Sequence, residues 1–436
     1  MRQDWSQTIY DKLVNEEDAR ACKAISDEAC QQVPGNFIRI IFSQFLSKLG
    51  DALLNPKITL PWLLQSLGSP AFLLAWLVPI RESGSLLPQL AIASWVRTLA
   101  LRKWVWVLGS VLQAISVLAM GLVAISLDGA AAGWSIIGCL VVLSLARGLC
   151  SVAAKDVLGK TIPKQQRGQV TGWSASAAGL ITLALGVSLW WGQDAAAVND
   201  AHFLGWVLMA AAAVWLLAAT LFSTIDEYSG AVDGGENGFK RALAQLTLLQ
   251  SDEHFRRFVI VRSLFLCSAL SAPYYVMLAY QQSSGELGSL ALFVIASGIA
   301  SLVSAPIWGR FADWSSLKVM QLAAMLSALC GGVLLLLILL LPSWLHWAWV
   351  LPGLYFFLSI SHQGVRVGRK TYLVDLASGN QRTSYVAVSN TLIGVILLLF
   401  SAVGALTHWL SVAGIIAIFS ALAIVGVIVS RRLPEV

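Results

Sequence analysis

The sequence predicts an all-α polytopic membrane protein, with twelve transmembrane helices in two pseudo-symmetric six-helix halves. Three observations predict it. The apolar residues fall into long runs, the basic residues gather on alternate connections, and an internal repeat runs at one fixed offset.

Of 436 residues, 57% are apolar and only 12% are charged. An average soluble chain carries roughly 25% charged residues. The mean hydropathy is +0.74. This composition excludes a secreted disulfide scaffold, a nucleic-acid module and a cytosolic enzyme. The net charge of +6 needs no nucleic-acid partner, because its placement explains it. The six cysteines are scattered without a CxxC pair, so neither a disulfide framework nor a metal ligand set is expected.

A membrane span needs about 20 mostly apolar residues. In the first half such runs cover Phe37 to Leu60, Phe72 to Trp95, Trp104 to Leu127, Trp134 to Ala154, Gly168 to Trp191 and Phe203 to Ser223. In the second half they cover Phe258 to Tyr280, Leu290 to Trp308, Val319 to Leu341, Trp347 to Val367, Tyr385 to Leu406 and Leu410 to Ser430.

Lys and Arg in the connections set the orientation. With a cytoplasmic amino terminus, the inner connections hold Arg97, Arg102 and Lys103; Lys155, Lys160, Lys164 and Arg167; Lys240, Arg241, Arg256 and Arg257; Arg310 and Lys318; Arg369, Lys370 and Arg382; and finally Arg431 and Arg432. The outer connections after the odd-numbered spans from the third onward hold neither residue type. Both termini are therefore expected in the cytoplasm. The first 33 residues carry no basic-then-apolar signal peptide, so insertion is expected to rely on the spans.

The expected organisation is a cytoplasmic tail (1–36), a six-helix bundle (37–223), a cytoplasmic linker (224–257), a second six-helix bundle (258–430) and a short cytoplasmic tail (431–436). The linker opens with Asp226, Glu227, Gly230, Asp233, Gly234, Gly235, Glu236 and Gly238, which reads as flexible. Phe239, Leu243, Leu246, Leu249 and Phe255 then suit an amphipathic helix on the inner membrane face. Trp5, Ile9 and Leu13 suggest a short helix in the first tail.

A shift of 215 residues pairs Lys155 with Lys370, Leu158 with Leu373, Gln166-Arg167 with Gln381-Arg382, Ser174 with Ser389, and Gly179 with Gly394. The loop between the eighth and ninth spans runs Gly309, Arg310, Phe311, Ala312, Asp313 and on to Lys318. Its counterpart, Ser94 to Lys103, keeps the basic end but lacks the glycine and the aspartate. Arg147-Gly148 stands in the fourth span. From Phe37 to Arg432 the chain resembles the major facilitator superfamily. Gly309, Arg310, Asp313 and Lys318 resemble that family's inner-loop motif, and Arg147-Gly148 is similar to the arginine motif of its proton-coupled members. The proline signature of its drug antiporters is absent from the fifth span. The resemblance implies a secondary transporter of the cell inner membrane, a permease with its substrate site between the halves near the bilayer midplane.

A charge at the bilayer centre costs about 2.5–3.5 kcal/mol on insertion scales, so it is retained where it pairs, faces a cavity or acts. Lys48 and Asp51 of the first span lie three residues apart, on one helical face. Arg81 and Glu82 of the second span and Arg147 of the fourth reach a similar depth. Two readings stand. In one, Asp51 or Glu82 carries a proton and Arg147, Arg81 or Lys48 tunes it. In the other, the five form a static ion-pair network.

The second half offers His362 near mid-depth, paired with Arg147 by the same shift. With Asn55, Tyr355, Ser359, Gln363, Ser389 and Asn390 it makes the expected polar wall of a substrate cavity. Arg262 and Arg366 lie near the inner surface, where snorkelling is the ordinary explanation. Pro56, Pro61 and Pro79 predict kinks in the first two spans. Gly172, Gly179 and Gly186 recur every seven residues and predict close helix packing. Trp62, Trp104, Trp134 and Trp347 suit an interfacial belt.

Gly159-Lys160-Thr161 lacks the glycine that a phosphate loop needs at Ala154. No nucleotide-binding domain and no hydrolase motif is present. The expectation is a monomeric, non-enzymatic carrier without cofactor or metal. Its expected partners are a small organic solute, protons and membrane lipid. A flippase on the same fold, an embedded enzyme and a channel are the alternatives.

Overall fold

The computed structural model describes residues 32–163, 166–192, 200–229, 247–283, 285–376, 381–402 and 410–435. The first expected span is two helices, α1 (Val33–Leu54) and α2 (Thr59–Ser66). The second is α3 (Leu74–Leu86) followed by α4 (Gln89–Arg97). Four long helices complete the first half: α5 (Lys103–Ser126), α6 (Gly129–Thr161), α7 (Arg167–Gly192) and α8 (Asp200–Ser223).

The second half opens with α9 (Glu253–Leu264), a helical turn at Cys267–Leu270, and α10 (Ala272–Gln282). It continues with α11 (Leu287–Trp314), α12 (Ser316–Leu340), α13 (Val350–Leu376), α14 (Gln381–Phe400) and α15 (Val412–Ser430). Among the described residues, eight helical runs are long and apolar enough to cross a membrane. The other expected spans correspond to α1–α2, α3–α4, α13 and α14, which are charged, broken or short.

The breaks follow from residue chemistry. α1 stops before Asn55, whose side-chain oxygen accepts the Lys57 N–H at 2.9 Å. Pro56 has no N–H to offer a helix, and it falls inside that gap. Pro61 sits in the first turn of α2, Pro79 lies inside α3, and Pro88 separates α3 from α4. Asp252 starts α9 by accepting the Phe255 N–H at 2.9 Å, and Ser315 starts α12 by accepting from Lys318 at 3.2 Å.

The repeat is visible in the packing between the halves. The repeated glycines do matching work. Gly179 of α7 faces Leu302 of α11, and Gly394 of α14 faces Leu87 at the α3–α4 junction. Both contacts join one half to the other. Gly186 also meets α11, at Ile295, whereas Gly172 has open space around it. The predicted close packing thus holds for two of the three glycines.

The apolar cores divide unequally. One continuous core fills the end of the molecule away from Val33 and draws on both halves. It includes Leu54, Trp62, Leu77, Leu140 and Trp215 together with Tyr274, Phe293, Tyr355, Ile393 and Phe419. At the Val33 end there are two separate cores. One, around Phe37, Trp106, Val157 and Phe222, belongs to the first half. The other, around Phe255, Met320, Tyr372 and Tyr385, belongs to the second. The halves are therefore sealed together at one end and packed independently at the other.

Several expectations change. Trp62 is fully buried in the shared core, edge-on to Tyr280 with ring centres 5.0 Å apart, while Trp104, Trp134 and Trp347 are exposed as a belt requires. Asp226 and Glu227 are held rather than flexible. Asp226 pairs with Arg39 at 2.6 Å. The buried Glu227 carboxylate accepts from the N–H groups of Arg102 and Lys103 at 3.0 and 2.7 Å, and from Lys160 at 2.9 Å. A chain turning back after α8 brings Asp226 to α1 and Glu227 to the first turn of α5, where unpaired N–H groups attract a carboxylate. Phe239, Leu243 and Leu246 of the expected amphipathic segment, and the whole first-tail helix, lie outside the described residues, whereas Leu249 is half-buried and Phe255 is buried in the second-half core instead of lying on a membrane face.

Candidate functional site

Asp51 stands near the end of α1, Arg81 on α3 and Arg147 on α6. The structure brings the three together. Arg81 donates to one Asp51 carboxylate oxygen at 2.7 Å, and Arg147 pairs with the other. Arg147 also donates to the Ser47 hydroxyl, one turn earlier on α1, at 3.0 Å. One carboxylate thus bridges two guanidiniums from different helices. The side chains keep partial access, 21% for Asp51 and 27% for Arg147. Lys48 lies in the Coulombic field of Arg147 and Asp51, as expected for residues on its face of α1.

Glu82 differs from Asp51. Among the described residues its carboxylate makes no ion pair within 4 Å, yet Lys57, Arg366, Arg369 and Arg81 all act on it. Lys57 was not singled out from the sequence. It sits in the gap between α1 and α2, one residue after Pro56, where the break directs it inward. A lysine inside a disrupted span is the signal that marks it.

The second-half residues sort by position along α13. Tyr355 is only 2% exposed, inside the shared core, edge-on to Phe293, and it hydrogen-bonds Ser359. It therefore belongs to the sealed end. His362 lies 3.4 Å from the Ser268 hydroxyl. Gln363 is half-buried. Asn390 of α14 accepts from Arg262 at 2.9 Å and approaches Gln89 of α4 at 3.4 Å.

Arg262 corrects the snorkelling expectation. It is 6% exposed, and its guanidinium reaches the hydroxyl of Ser389 as well as Asn390. Its Nε is buried without a partner among the described residues. Arg366 behaves otherwise and is exposed. Asn55 caps a helix break with its side chain, so its place is structural before it is anything else.

The family model described as the Major Facilitator Superfamily matches residues 40–392. The chain belongs to the major facilitator superfamily. No curated protein matches it. Among solved structures it is similar to the nucleoside transporter NupG (TM-score 0.70, 10% identity, covering 91% of this chain and 99% of that one). It is similar to a POT family transporter in complex with a thioalcohol-conjugated peptide (TM-score 0.69, 13% identity, 90% and 94%). It is also similar to a D-xylose–proton symporter (TM-score 0.65, 13% identity, 94% and 98%). At these identities the likeness is one of fold.

This superfamily member is a multi-pass membrane protein of transporter type. The residues that resemble the family's inner-loop motif lie at the end of α11 and start of α12. Arg310 is exposed, and open space surrounds Gly309. Lys318 pairs with Glu435 at 3.3 Å and lies over the Trp314 ring at 4.7 Å. The Asp313 side chain lies outside the described residues.

Proposed function

We propose that the protein is a proton-coupled secondary transporter that moves a small organic solute across the cytoplasmic membrane by alternating access. The observation that carries this reading is the division of the cores. An end closed by shared packing and an end with independent packing are the two ends an alternating carrier must exchange. Basic residues on the Val33 side support placing the open end, and both termini, in the cytoplasm. Residues 37–223 and 258–430 are then the two moving bundles, and 224–257 is the cytoplasmic connection. Nothing in the site calls for a bond-making step, and the reading needs one copy of the chain.

The two carboxylates take different parts. Asp51, locked between Arg81 and Arg147, organises the first half. Glu82 has neighbours of opposite charge but, among the described residues, no ion-pair partner, so it is the group free to exchange a proton. Asn55, Ser359, His362, Gln363 and Asn390 line the same region as polar, uncharged groups, with Tyr355 closing its far end.

The test is reconstitution into liposomes containing a pH-sensitive dye, with xylose, uridine, a dipeptide, succinate and glycerol 3-phosphate offered in turn. A transported solute is expected to change the internal pH in the wild type. Glu82→Gln is expected to retain exchange of labelled solute and lose the proton movement. Solute entry with no proton movement in the wild type would remove the coupling. Failure of every solute to enter would count against the transport reading.

A further inference from the structure

Arg262 sits in the last turn of α9, inside the apolar run Glu253–Gln282, and is 6% exposed. Its partners are neutral. The guanidinium donates to the Ser389 hydroxyl and to the Asn390 side-chain oxygen of α14. Its Nε is buried with no partner among the described residues. The ion pairs of the described residues do not include it, and Arg369 and Glu82 act on it only from beyond that distance.

The first half treats its guanidiniums differently. There Asp51 neutralises both Arg81 and Arg147. The 215-residue shift carries Asp51 to Leu266, four residues after Arg262. The second half therefore lacks a carboxylate at the place where the first half keeps one. A buried guanidinium with neutral acceptors and an unused N–H is electrostatically incomplete. An oxyanion completes it, because a planar fork of N–H donors matches carboxylate and phosphate oxygens.

Two further observations locate such a ligand. The first and seventh spans are interrupted at corresponding positions. Pro56, in the gap between α1 and α2, is carried by the shift to Ser271, which separates the turn at Cys267–Leu270 from α10. Spans interrupted in corresponding halves flank the substrate site in carriers built from repeats. The second observation is the contact across the halves. Asn390 accepts from Arg262 through its oxygen, and its Nδ2 approaches Gln89 Oε1 of α4 at 3.4 Å. Asn390 and Gln89 are half-buried, whereas Ser389 is buried, so the α4–α14 seam is the accessible side of Arg262. At that distance Gln89 is a weak acceptor, standing where a ligand oxygen would be held better.

We propose that the solute bears a carboxylate or phosphate group, and that this group binds Arg262 and Asn390 by displacing Gln89 from the α4–α14 seam. This rests on the transport reading above and names the substrate class of that site. Ser389 holds the guanidinium in place, while its unused Nε and the Asn390 amide receive the oxyanion. Displacing Gln89 breaks a contact between the halves. Anion binding and movement of the halves are then linked, and linkage is reciprocal.

Binding and transport are measured separately, so that the two readings fail separately. The purified full-length protein is titrated with inorganic phosphate, succinate and glycerol 3-phosphate, and with uncharged glycerol and xylose. Ionic strength is held constant with chloride, and the melting temperature is read, since a ligand of the folded state raises it. The anions are expected to raise it and the neutral solutes are not. Arg262→Gln is expected to weaken anion binding at least about tenfold, and Arg262→Lys to keep part of it. Gln89→Glu places a carboxylate at the rim of the same site. It is expected to raise the melting temperature without ligand and to weaken anion binding at least about tenfold. Should Arg262→Gln fail to fold, Gln89→Glu decides alone. Succinate and phosphate compared directly decide between a carboxylate and a phosphate ligand. Absence of any anion shift in the wild type, or wild-type anion binding by Gln89→Glu, overturns the proposal. Anion binding without liposome uptake leaves the anion site standing and removes the transport reading.

Discussion

Arg81 donates to Asp51 at 2.7 Å, and the pair ties α1 to α3 a few residues before each helix is interrupted. Charge and backbone irregularity therefore coincide in the first half. Non-helical backbone at membrane depth is tolerated where protein or water surrounds it, and the same place is where charges can be kept.

Removing Asp51 leaves two guanidiniums facing each other. Breaking a buried pair from one side costs roughly 3–5 kcal/mol, and the partial access of this cluster lowers that to about 2 kcal/mol. Asp51→Asn is expected to lower the melting temperature accordingly. Asp51→Asn combined with Arg147→Gln is expected to be less harmful than the sum of the two changes. Additive losses in that double-mutant cycle would mean the pair does not couple.

Glu227 is completely buried yet serves two backbone N–H groups and Lys160. Glu227→Ala orphans all three, and hydrogen bonds to charged groups contribute roughly 1.5–3 kcal/mol. A loss of about 3 kcal/mol in thermal or denaturant stability is expected, with earlier proteolysis near the α4–α5 connection. A wild-type melting curve for this variant would contradict the arrangement.

The span-five glycines are expected to respond in opposite directions. At Gly186 an added Cβ would meet Ile295 at 2.8 Å, so Gly186→Ala should destabilise the α7–α11 contact by about 1–2 kcal/mol. At Gly172 nothing lies within 4 Å. Gly172→Ala should be neutral or stabilising by up to about 1 kcal/mol, because alanine favours the helix. Melting temperatures of the two variants measured side by side check this.

Asp252 links stability to acid. Burial alone would raise its carboxyl, but the Tyr385 hydroxyl and the N–H of Phe255 donate to the charged form and hold it below the ordinary value of 3.8. A carboxyl depressed in the folded state stabilises fully above that ordinary value, and the contribution disappears as pH falls through the lower folded value. Asp252→Asn is therefore expected to be less stable than wild type at neutral pH, with the gap closing only below about pH 4. A gap of equal size at pH 7 and pH 3 would remove the ionised carboxylate from the explanation.

Much of the site was legible because charge inside a membrane span is rare and conspicuous. Asp51, Arg81 and Arg147 could be grouped by depth alone, since helix rise is constant. Arg262 and Arg366 could not be separated that way. They lie at related depths, but one turns into a packed pocket with Ser389 and Asn390 and the other is exposed. Rotation about a helix axis is set by neighbours, and neighbours are tertiary.

The sequence by itself determined the membrane class, the repeat and the family resemblance. Each depends on patterns along one chain, hydropathy over about 20 residues and motifs at a fixed offset. The tertiary structure decided which end is closed, that Trp62 and Tyr355 lie in the seal, and that Asp51 bridges Arg81 and Arg147. These depend on how two halves far apart in sequence are tilted against each other. That tilt is a balance of packing at the two ends, and local pattern does not record it.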